Sequence, residues 1–591
     1  MRLSKNILIA GEAGQGLATV GMLLAKALAR SGYEIFVTQG YESRIRGGHN
    51  TFAVRTGLGP IRAGIRDVDL LIALNRESIA LHRDELAENA LILVDTEHDD
   101  QAPTTDGGLQ ADPKTKKDRT LRVPFAELAP EKVFHNIVAL GVTARLLGLP
   151  EDVGTALVKE TFARKKADLM EKNVNVLHAA VAWAGEQSAV FQPLPAPPKP
   201  GKRMVLNGNQ AIALGALAAG VRFCAFYPMT PATGVALNLS AAAKDMGLVV
   251  EQAEDEIAAV NMALGASFAG APAVVPTSGG GFALMTEGIS LAGMTETPLV
   301  LVLGQRPGPA TGLPTRTEQG DLNLALYAGH GEFPRAILTP GSVEECFRLT
   351  HTAVDLAERS QGPVIVMTDQ YLADTIQAVP PFDLDMLAEP LRPAQNCDHP
   401  HAYQRYAFTE DGVSPRMLPG TGEHLVVLDS DEHTEDGHIT EDLAIRTRMV
   451  DKRLAKERKL RESALAPSYI GDEQSDLLLI CWGSTLGPAD EAAEILRKEG
   501  RNVGLLHFRQ VWPLRPEQFL ERLRQARETV CIESNATGQF AGLLRKEVGF
   551  SVSRSILRYD GLPFTAADIL RELNVETGRE QESRKAVGRD T

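Results

Sequence analysis

The stretch from residue 6 to residue 17 reads Asn-Ile-Leu-Ile-Ala-Gly-Glu-Ala-Gly-Gln-Gly-Leu, an apolar run that ends among three glycines. Residues 6–10 have the composition of a short buried strand, and apolar residues recur at helical spacing over residues 17–31. A glycine loop between a strand and a helix lets the backbone approach a phosphate, whose charge the helix N-terminus favours. The stretch therefore predicts an α/β fold with an anion site after its first strand. A tight turn that needs glycine for packing alone is the alternative.

The glycine spacing argues against one familiar ligand of such loops. Gly11, Gly14 and Gly16 form GxxGxG, whereas dinucleotide-binding loops read GxGxxG. The next predicted strand ends in Val-Thr-Gln at residues 37–39, without an acid for a ribose hydroxyl. Both observations count against NAD.

The same alternation of apolar strands and amphipathic helices continues along the 591 residues, a length that corresponds to roughly four domains. This alternation predicts a multi-domain α/β protein with doubly wound parallel sheets. We expect three domains, over residues 1–190, 203–384 and 475–580. A proline-rich linker over 191–202 joins the first two, and a connecting arm over 385–474, with a charged helix around 447–465, joins the second to the third. Residues 581–591 form a charged tail.

Charge and cysteine content narrow the classes of function. The net charge is −15, with 61 Lys and Arg against 76 Asp and Glu, so we expect no nucleic-acid surface. The five cysteines are scattered and form no CxxC. This pattern argues against a disulfide framework or a metal or iron–sulfur site held by this chain alone, and it fits a reducing cytoplasm. The apolar runs at 7–10 and 211–221 are too short for a signal peptide or a membrane span.

A basic segment follows the first glycine loop. Residues 43–66 contain five arginines and no acid, in a chain that is acidic overall. Ser43, Arg44 and Arg46 lie at its start, beside two glycines. Guanidinium groups bind phosphates bidentately, so this excess favours a phosphate-rich ligand. Scattered surface charge or an arginine-lined subunit interface is the alternative.

Three further patterns lie at the ends of predicted strands in the second domain. The first is Tyr227-Pro-Met-Thr-Pro231, where two prolines restrict the backbone and hold the Thr230 hydroxyl at a strand end. A plain turn would also explain this pattern.

The second pattern is the acidic run Glu254-Asp-Glu256, at the start of a predicted helix. Acids in a first helical turn favour the helix dipole, which explains most such clusters. Three consecutive acids exceed that need, and one partly buried carboxylate could share a proton with a ligand nitrogen.

The third pattern is a pair of glycine- and proline-rich loops over residues 277–282 and 304–321. Such loops after buried strands are typical of ligand sites. Arg306 and Arg316 could pair with carboxylates, or could be surface or structural arginines.

Together these motifs resemble the α subunit of the 2-oxoacid:ferredoxin oxidoreductases, most of all the 2-oxoglutarate type. The resemblance rests on Tyr-Pro-Met-Thr-Pro (227–231), Glu-Asp-Glu-Ile-Ala-Ala (254–259), Thr-Ser-Gly-Gly-Gly-Phe (277–282) and Gln-Arg-Pro-Gly-Pro-Ala-Thr-Gly-Leu-Pro-Thr (305–315). The N-terminal glycine loop and Ser-Arg-Ile-Arg-Gly-Gly (43–48) are similar to the γ domain of this family, here fused ahead of α. Met229 and Ala232 replace the usual residues of a YPITPS string, and Gly280 replaces the proline of TSGPG.

The resemblance implies a thiamine diphosphate enzyme. Residues 203–384 then form the pyrimidine-binding domain, and residues 475–580 form a domain similar to the C-terminal domain of transketolase. Glu256 is the residue implied to hydrogen-bond the aminopyrimidine N1′, which promotes ylid formation. Tyr227 and Pro228 are implied to bind the cofactor. The residues implied to hold the 2-oxoacid are Thr230, Arg306 and Thr315.

The resemblance also implies that the γ-like domain binds coenzyme A as cosubstrate. The residues expected to contact it are Gly11, Gly14, Gly16, Ser43, Arg44 and Arg46. The independent argument from the arginine-rich segment agrees, because coenzyme A carries several phosphates.

Two absences imply a partner. The sequence has no Gly-Asp-Gly followed about thirty residues later by Asn-Asn, the Mg²⁺–diphosphate signature of such enzymes, and no cysteine quartet for a 4Fe–4S cluster. We therefore expect no metal site on this chain. A separate β subunit is implied to carry the diphosphate site, Mg²⁺ and the cluster in an (αβ)₂ assembly, with ferredoxin as electron acceptor.

The expected function is oxidative decarboxylation of 2-oxoglutarate with coenzyme A to succinyl-CoA, which could also run in reverse. Two alternatives remain open. One is the same chemistry on pyruvate, branched-chain or aryl 2-oxoacids. The other is a non-catalytic nucleotide- or coenzyme A-binding scaffold for electron transfer.

Overall fold

The computed structural model describes residues 4–42, 48–98, 119–129, 131–163, 167–187, 191–197, 201–392, 403–422 and 424–573. Contacts divide the chain into two compact units. Unit 1 comprises Met1–Leu206 and Thr375–Pro381, and unit 2 comprises Asn207–Asp374 and Phe382–Thr591. Among the described helices, none combines the length and apolar character that crossing a membrane requires.

Unit 1 is built on an eight-stranded sheet in the order β6-β5-β4-β1-β3-β2-β14-β7. Its strands are β1 (Ser4–Glu12), β2 (Glu34–Gly40), β3 (His49–Gly57), β4 (Val68–Ala73), β5 (Leu86–Asp95), β6 (Arg119–Val123), β7 (Met204–Asn207) and β14 (Ile376–Val379). Its helices are α1 (Leu17–Arg30), α2 (Arg76–Leu81), α3 (Phe125–Leu128), α4 (His135–Leu147), α5 (Glu151–Phe162) and α6 (Ala167–Glu186).

The position of β1 in the sheet explains why its sequence is an unbroken apolar run. Ile7 and Ile9 pack into the large core on one face of the sheet. Leu8 and Ala10 pack into a smaller core on the other face. A strand that is buried on both faces has no polar side to alternate with.

The expectation of a parallel sheet is wrong in part for unit 1. β1, β4, β5 and β6 are parallel, but β3 runs antiparallel to both β1 and β2. Only residues 41–48 separate β2 from β3. A parallel crossover needs a dozen residues or more, so the chain must turn back directly.

Unit 2 contains two sheets. The first has the order β18-β12-β13-β11-β10-β8-β9. Its strands are β8 (Phe223–Phe226), β9 (Val249–Gln252), β10 (Ala273–Thr277), β11 (Leu299–Gln305), β12 (Ala336–Leu338), β13 (Pro363–Asp369) and β18 (Gln510–Trp512). The helices in this part of the chain are α7 (Gly208–Ala218), α8 (Thr233–Met246), α9 (Glu256–Phe268), α10 (Gly279–Leu284), α11 (Thr286–Met294), α12 (Leu322–Leu326), α13 (Val343–Ser360) and α14 (Gln370–Asp374).

The strand order of this sheet creates a crevice. All pairings are parallel except that of the edge strand β18. The chain passes from β8 to β9 on one side and then to β10 on the other side of β8. The connections after β8 and β10 therefore leave in opposite directions, which is the position where open α/β sheets bind ligands.

The second sheet of unit 2 has the order β15-β17-β16-β19-β20. Its strands are β15 (Ser468–Ile470), β16 (Leu477–Trp482), β17 (Val503–Phe508), β19 (Glu528–Glu533) and β20 (Arg554–Leu557). They are parallel except for the edge strand β15. The helices are α16 (Leu486–Lys498), α17 (Leu520–Gln525) and α18 (Gln539–Val548), and residues 566–573 are also helical.

The charged helix expected around 447–465 is α15 (Leu443–Glu462). Asp442 caps it by accepting hydrogen bonds from the backbone nitrogens of Ala444 (2.8 Å) and Ile445 (3.0 Å). Its buried side chains are mostly basic rather than apolar, and Lys452 and Lys456 both pair with the fully buried carboxylate of Glu296. The helix is therefore held by buried ion pairs rather than by a hydrophobic stripe.

Candidate functional site

The crevice at β8 and β10 gathers the three sequence patterns of the second domain. The Tyr227–Pro231 segment follows β8, and the loop 306–321 follows β11. The glycine-rich stretch 278–281 follows β10 and forms the start of α10. Parallel neighbours end at the same sheet edge, so these segments meet. One contact that joins the first segment to the glycine-rich stretch is the 3.3 Å hydrogen bond from the Gly281 nitrogen to the Met229 sulfur.

Glu256 is the first residue of α9, and it is buried, with 4% of its surface exposed. Its neighbours Glu254 and Asp255 are exposed. Asp255 caps the helix through a 2.8 Å hydrogen bond from the Ala258 nitrogen. The helix-start explanation thus accounts for Asp255 as the cap and for the position of Glu256 in the first turn, but it does not require that the Glu256 carboxylate be buried.

The Glu256 carboxylate lies against the glycine-rich stretch. A Cβ placed on Gly281 would be 2.6 Å from Glu256 Oε1 and 2.7 Å from its Cγ. Glu256 Oε1 is buried and has no hydrogen-bond partner among the described residues. A buried carboxylate oxygen without a donor is costly, so this oxygen suits a ligand that brings a donor of its own.

Two more unpartnered oxygens line the same stretch. Ser278 Oγ and Asp321 Oδ2 are both buried without a hydrogen-bond partner in the described chain. Burial, reinforced by the nearby Glu318 and opposed by Arg306, raises the pKa of Asp321 to about 6. Sequence analysis missed both residues, although both stand in the quoted loops. The only available signal was an acid within a glycine- and proline-rich loop.

Arg306 and Thr230 are brought together. Arg306 Nη1 donates a 2.8 Å hydrogen bond to the Thr230 backbone carbonyl. Burial lowers the pKa of this guanidinium, and the Asp321 charge opposes that effect. The remaining N–H groups of Arg306 are suited to a carboxylate. Tyr227, 40% exposed, and Pro228 lie at the end of β8 as exposed residues.

Thr315 is half-buried in the loop that also carries Arg306, and in the described structure its side chain makes no hydrogen bond that would join it to Thr230 or Arg306. The loop beyond it is fixed at two points. The Thr317 nitrogen donates to the Gly561 carbonyl at 3.1 Å, and Gln319 Nε2 donates to the Trp482 carbonyl at 2.8 Å. The loop is thus held against the second sheet of unit 2.

A second candidate site lies in unit 1, in the loop between β1 and α1. Gly14 and Gly16 adopt positive φ angles of 100° and 82°, which favour glycine. Gln15 closes the loop, because its Oε1 accepts from the Glu12 nitrogen at 2.8 Å and packs where a Cβ on Gly11 would lie. Ser43, Arg44 and Arg46 lie outside the described residues.

A histidine pair lies beside this loop. His49 begins β3 opposite Glu12, and its Nε2 is 2.7 Å from His82 Nε2. His82 Nδ1 is 2.6 Å from Glu85 Oε2. A carboxylate only accepts, so Nδ1 of His82 carries a proton, and the contact between the two Nε2 atoms needs one donor and one acceptor. Burial, reinforced by His82, lowers the pKa of His49 and favours its neutral form.

Three parts of the chain match family models of one enzyme group. Residues 6–183 match the model "Pyruvate ferredoxin/flavodoxin oxidoreductase". Residues 214–452 match "Pyruvate flavodoxin/ferredoxin oxidoreductase, thiamine diP-bdg", and residues 475–568 match "Pyruvate:ferredoxin oxidoreductase core domain II".

Relatives of known name agree. The chain is 33% identical to a 2-oxoacid:ferredoxin oxidoreductase subunit alpha from Sulfolobus sp over 99% of its own length and 98% of that protein. It is 30% identical to the 2-oxoglutarate oxidoreductase subunit KorA of Mycobacterium tuberculosis over 96% of its length and 91% of the relative.

A solved structure extends the likeness to three dimensions. It is the 2-oxoglutarate:ferredoxin oxidoreductase from Magnetococcus marinus with 2-oxoglutarate, coenzyme A and succinyl-CoA bound. It matches with a TM-score of 0.88 and 30% identity, over 98% of this chain and 100% of that one. The resemblance read from the motifs and the expected α/β class are thus confirmed: the chain belongs to the α subunits of the 2-oxoacid:ferredoxin oxidoreductases.

Proposed function

We propose that this chain is the fused γα subunit of a thiamine diphosphate-dependent 2-oxoglutarate:ferredoxin oxidoreductase. The reaction converts 2-oxoglutarate, coenzyme A and two oxidised ferredoxins into succinyl-CoA, CO₂, a proton and two reduced ferredoxins, and strongly reduced ferredoxin would drive it in reverse. The observation that carries the proposal is the buried Oε1 of Glu256 at the crevice beside β8 and β10, for which the described part of the chain offers no hydrogen-bond partner.

The residues at the crevice fit the aminopyrimidine of thiamine diphosphate. When bound, this cofactor supplies the carbanion that attacks the 2-oxo carbon and stores the electrons. Glu256 holds the proton shared with the ring nitrogen N1′, and its burial excludes water from that proton. Tyr227 and Pro228, at the exposed end of β8, line the ring.

The substrate is held by residues of the loops after β8 and β11. Arg306 neutralises the carboxylate next to the 2-oxo group, and its bond to the Thr230 carbonyl fixes both residues relative to each other. Thr230 and Thr315 supply hydroxyl groups to the oxoacid. The choice of 2-oxoglutarate is supported by the relative from Mycobacterium tuberculosis and by the ligands of the Magnetococcus marinus structure.

Coenzyme A is assigned to unit 1. Gly11, Gly14 and Gly16 form a loop with an exposed backbone at Gly14, where no atom of the described residues lies within 4 Å of a Cβ position. Ser43, Arg44 and Arg46 are proposed to bind the phosphates. Residues 1–190 are the γ-like domain, 191–202 the linker, 203–384 the pyrimidine-binding domain, 385–474 the arm, 475–580 the transketolase C-terminal-like domain and 581–591 the tail.

A β subunit completes the enzyme in this proposal. It carries the diphosphate site, Mg²⁺ and the 4Fe–4S cluster in an (αβ)₂ assembly that reduces ferredoxin. The names of the relatives as alpha subunits support a partner. Four of the five cysteines, Cys224, Cys346, Cys481 and Cys531, are free and buried, and Cys397 lies outside the described residues, which suits a cytoplasmic enzyme.

The test is Glu256→Gln in the complex reconstituted with its β subunit. We expect turnover of 2-oxoglutarate to fall by about 10²-fold or more, because the proton on the ring nitrogen loses its partner. Bound thiamine diphosphate is measured alongside, so that loss of chemistry is separated from loss of cofactor.

The matched control is Glu254→Gln, the same change at an exposed acid of the same run. Wild-type turnover by Glu256→Gln with cofactor bound would contradict the assignment. Higher kcat/KM with pyruvate than with 2-oxoglutarate would favour the alternative substrate instead.

A further inference from the structure

Asp321 is a buried acid that the proposed mechanism does not yet use. Its backbone nitrogen donates a 3.1 Å hydrogen bond to Gln305 Oε1 at the end of β11. Its Oδ2 lies 2.5 Å from where a Cβ on Gly279 would be, at the first residue of α10. Asp321 is therefore fixed beside the end of β11, and its carboxyl lies against the start of α10, where Gly279 has no side chain to displace it.

The surroundings of Asp321 disfavour the ionised form of its carboxyl group. Burial is the largest effect, the Glu318 carboxylate acts in the same direction, and Arg306 at the end of β11 acts against both. Oδ2 has no donor among the described residues, although an ionised carboxylate in such a place needs several. A protonated carboxyl costs less to bury, and its O–H then needs an acceptor.

An oxoacid at Arg306 supplies that acceptor. Its carboxylate is repelled by an ionised Asp321 and is hydrogen-bonded by a protonated one, because a neutral carboxyl donates through O–H. Arg306 and Asp321 interact electrostatically, so a carboxylate that pairs with Arg306 is within the field of Asp321.

We propose that Asp321 binds the 2-oxoacid in its protonated form, with the Oδ2 hydroxyl donating to an oxygen of the carboxylate that Arg306 neutralises. Substrate binding is then coupled to the uptake of one proton by Asp321. This inference rests on the proposed function, because it assumes an oxoacid at Arg306.

The direction of the pH dependence follows. The free protein has an Asp321 pKa of about 6, and the bound substrate charge raises it further. Above that value the free enzyme must take up a proton in order to bind. Affinity therefore falls as the pH rises, by up to about tenfold per pH unit.

The test uses the cofactor-loaded complex with its β subunit and two analogues that are not decarboxylated, N-oxalylglycine for 2-oxoglutarate and oxamate for pyruvate. Calorimetry between about pH 6 and pH 8, in buffers of different ionisation enthalpy, gives both the dissociation constant and the protons taken up. For the wild type we expect weakening by about tenfold or more over this range and uptake that approaches one proton.

Asp321→Asn is expected to bind with a dissociation constant that is independent of pH and without proton uptake, because the amide still donates but cannot titrate. Glu318→Gln is expected to shift the wild-type transition to lower pH, since one of the charges that raise the Asp321 pKa is gone. Asp385→Asn, an exposed aspartate, is the control and should retain the wild-type profile.

The outcomes separate the two proposals. Full pH dependence and proton uptake in Asp321→Asn would overturn the role of Asp321. Binding of oxamate but not N-oxalylglycine would overturn the 2-oxoglutarate assignment and leave the proton measurement decisive for Asp321. Binding of neither analogue by the wild type would overturn the oxoacid site at Arg306, and the inference with it.

Discussion

Gly281 controls where the Glu256 carboxylate can lie. A Cβ at this position would overlap Thr277 Oγ1 and also Glu256 at both Oε1 and Cγ, so the clash with Glu256 reaches beyond the flexible end of its side chain. Gly281, within α10, is thus required by close approach and not by its backbone angle, since it shows no positive φ. The absence of a side chain at Gly281 thus sets how closely the Glu256 carboxylate can approach the glycine-rich stretch.

Gly281→Ala is expected to displace the carboxylate and to lower turnover of 2-oxoglutarate by about 10-fold to 10²-fold, as misplacements of about 1 Å do in active sites. Steady-state kinetics of the reconstituted complex measures this loss. Gly265→Ala, an exposed position on the same helix α9 with open space around it, is the control and should stabilise slightly without affecting turnover. Equal activity of both variants would show that Glu256 tolerates the shift.

The sequence could single out Glu256 by motif position but could not foresee Asp321. Helical periodicity places Glu256 at the start of α9. The resemblance of residues 254–259 to the family motif implies that Glu256 hydrogen-bonds the aminopyrimidine N1′. Asp321 lies in a loop without periodicity, where burial depends on how residues 278–281 pack from another part of the chain. The uneven burial of Glu254, Asp255 and Glu256 likewise depends on packing rather than on spacing.

Among the elements, α15 is unusual because charged groups anchor it. Lys452 Nζ lies 2.7 Å and 2.8 Å from the two Glu296 carboxylate oxygens, and Lys456 also contacts this carboxylate. Arg405 donates to the Glu296 backbone carbonyl at 2.6 Å. Burial alone would raise the pKa of Glu296, but Lys456, Lys452 and Arg405 together lower it to about 2.

Glu296→Gln is expected to lower the free energy of unfolding by about 3–5 kcal/mol at pH 7, because two buried lysines lose their partner. Denaturant unfolding followed by circular dichroism measures this change. Glu494→Gln, which breaks an exposed pair with Lys498, is the control and should cost less than about 1 kcal/mol.

The sign of the pH dependence is fixed by the lowered pKa. The Glu296 contribution is complete above its ordinary value of 4.5 and is lost as the pH falls from there to about 2. The wild type and Glu296→Gln should therefore converge in stability over this interval. A gap that stays constant down to the lower limit would show that the ion pairs do not supply the difference.

At the level of elements, spacing predicted α15 to within a few residues of its observed bounds, but it did not predict β3. Residues 49–57 alternate, with Phe52, Val54 and Thr56 buried. The five arginines of residues 43–66, which include this strand, suggested a ligand surface instead. The short connection before β3 makes this strand run antiparallel to β2. The alternation of strands and helices in the sequence does not predict that direction.

For the whole molecule, the decisive feature is that unit 1 is not continuous in sequence. Strands β7 and β14 complete its sheet next to β2, and Ile376 pairs with Val37. A single break in the linker region thus leaves pieces of one sheet on two polypeptides.

A protease site inserted after Gly201, an exposed position, should give two fragments that stay together in native buffer. The larger fragment still carries β7 and β14, which remain hydrogen-bonded within the sheet of the smaller one. Size-exclusion chromatography after complete cleavage measures this, with an uncut sample and a sample in denaturant as references. Separation of the fragments in native buffer would contradict the sheet order.

Because β14 lies far along the chain from β2, the two strands can pair only late in translation. The ribosome makes β1 to β6 first, but β2 has no neighbour on its outer side until residue 376 has been translated. An unpaired strand edge of this kind invites association with other nascent chains. A polypeptide of residues 1–206 alone lacks β14, so the outer edge of β2 would stay unpaired. Such an isolated domain would need another segment to pair with β2 or shield it in order to remain monomeric.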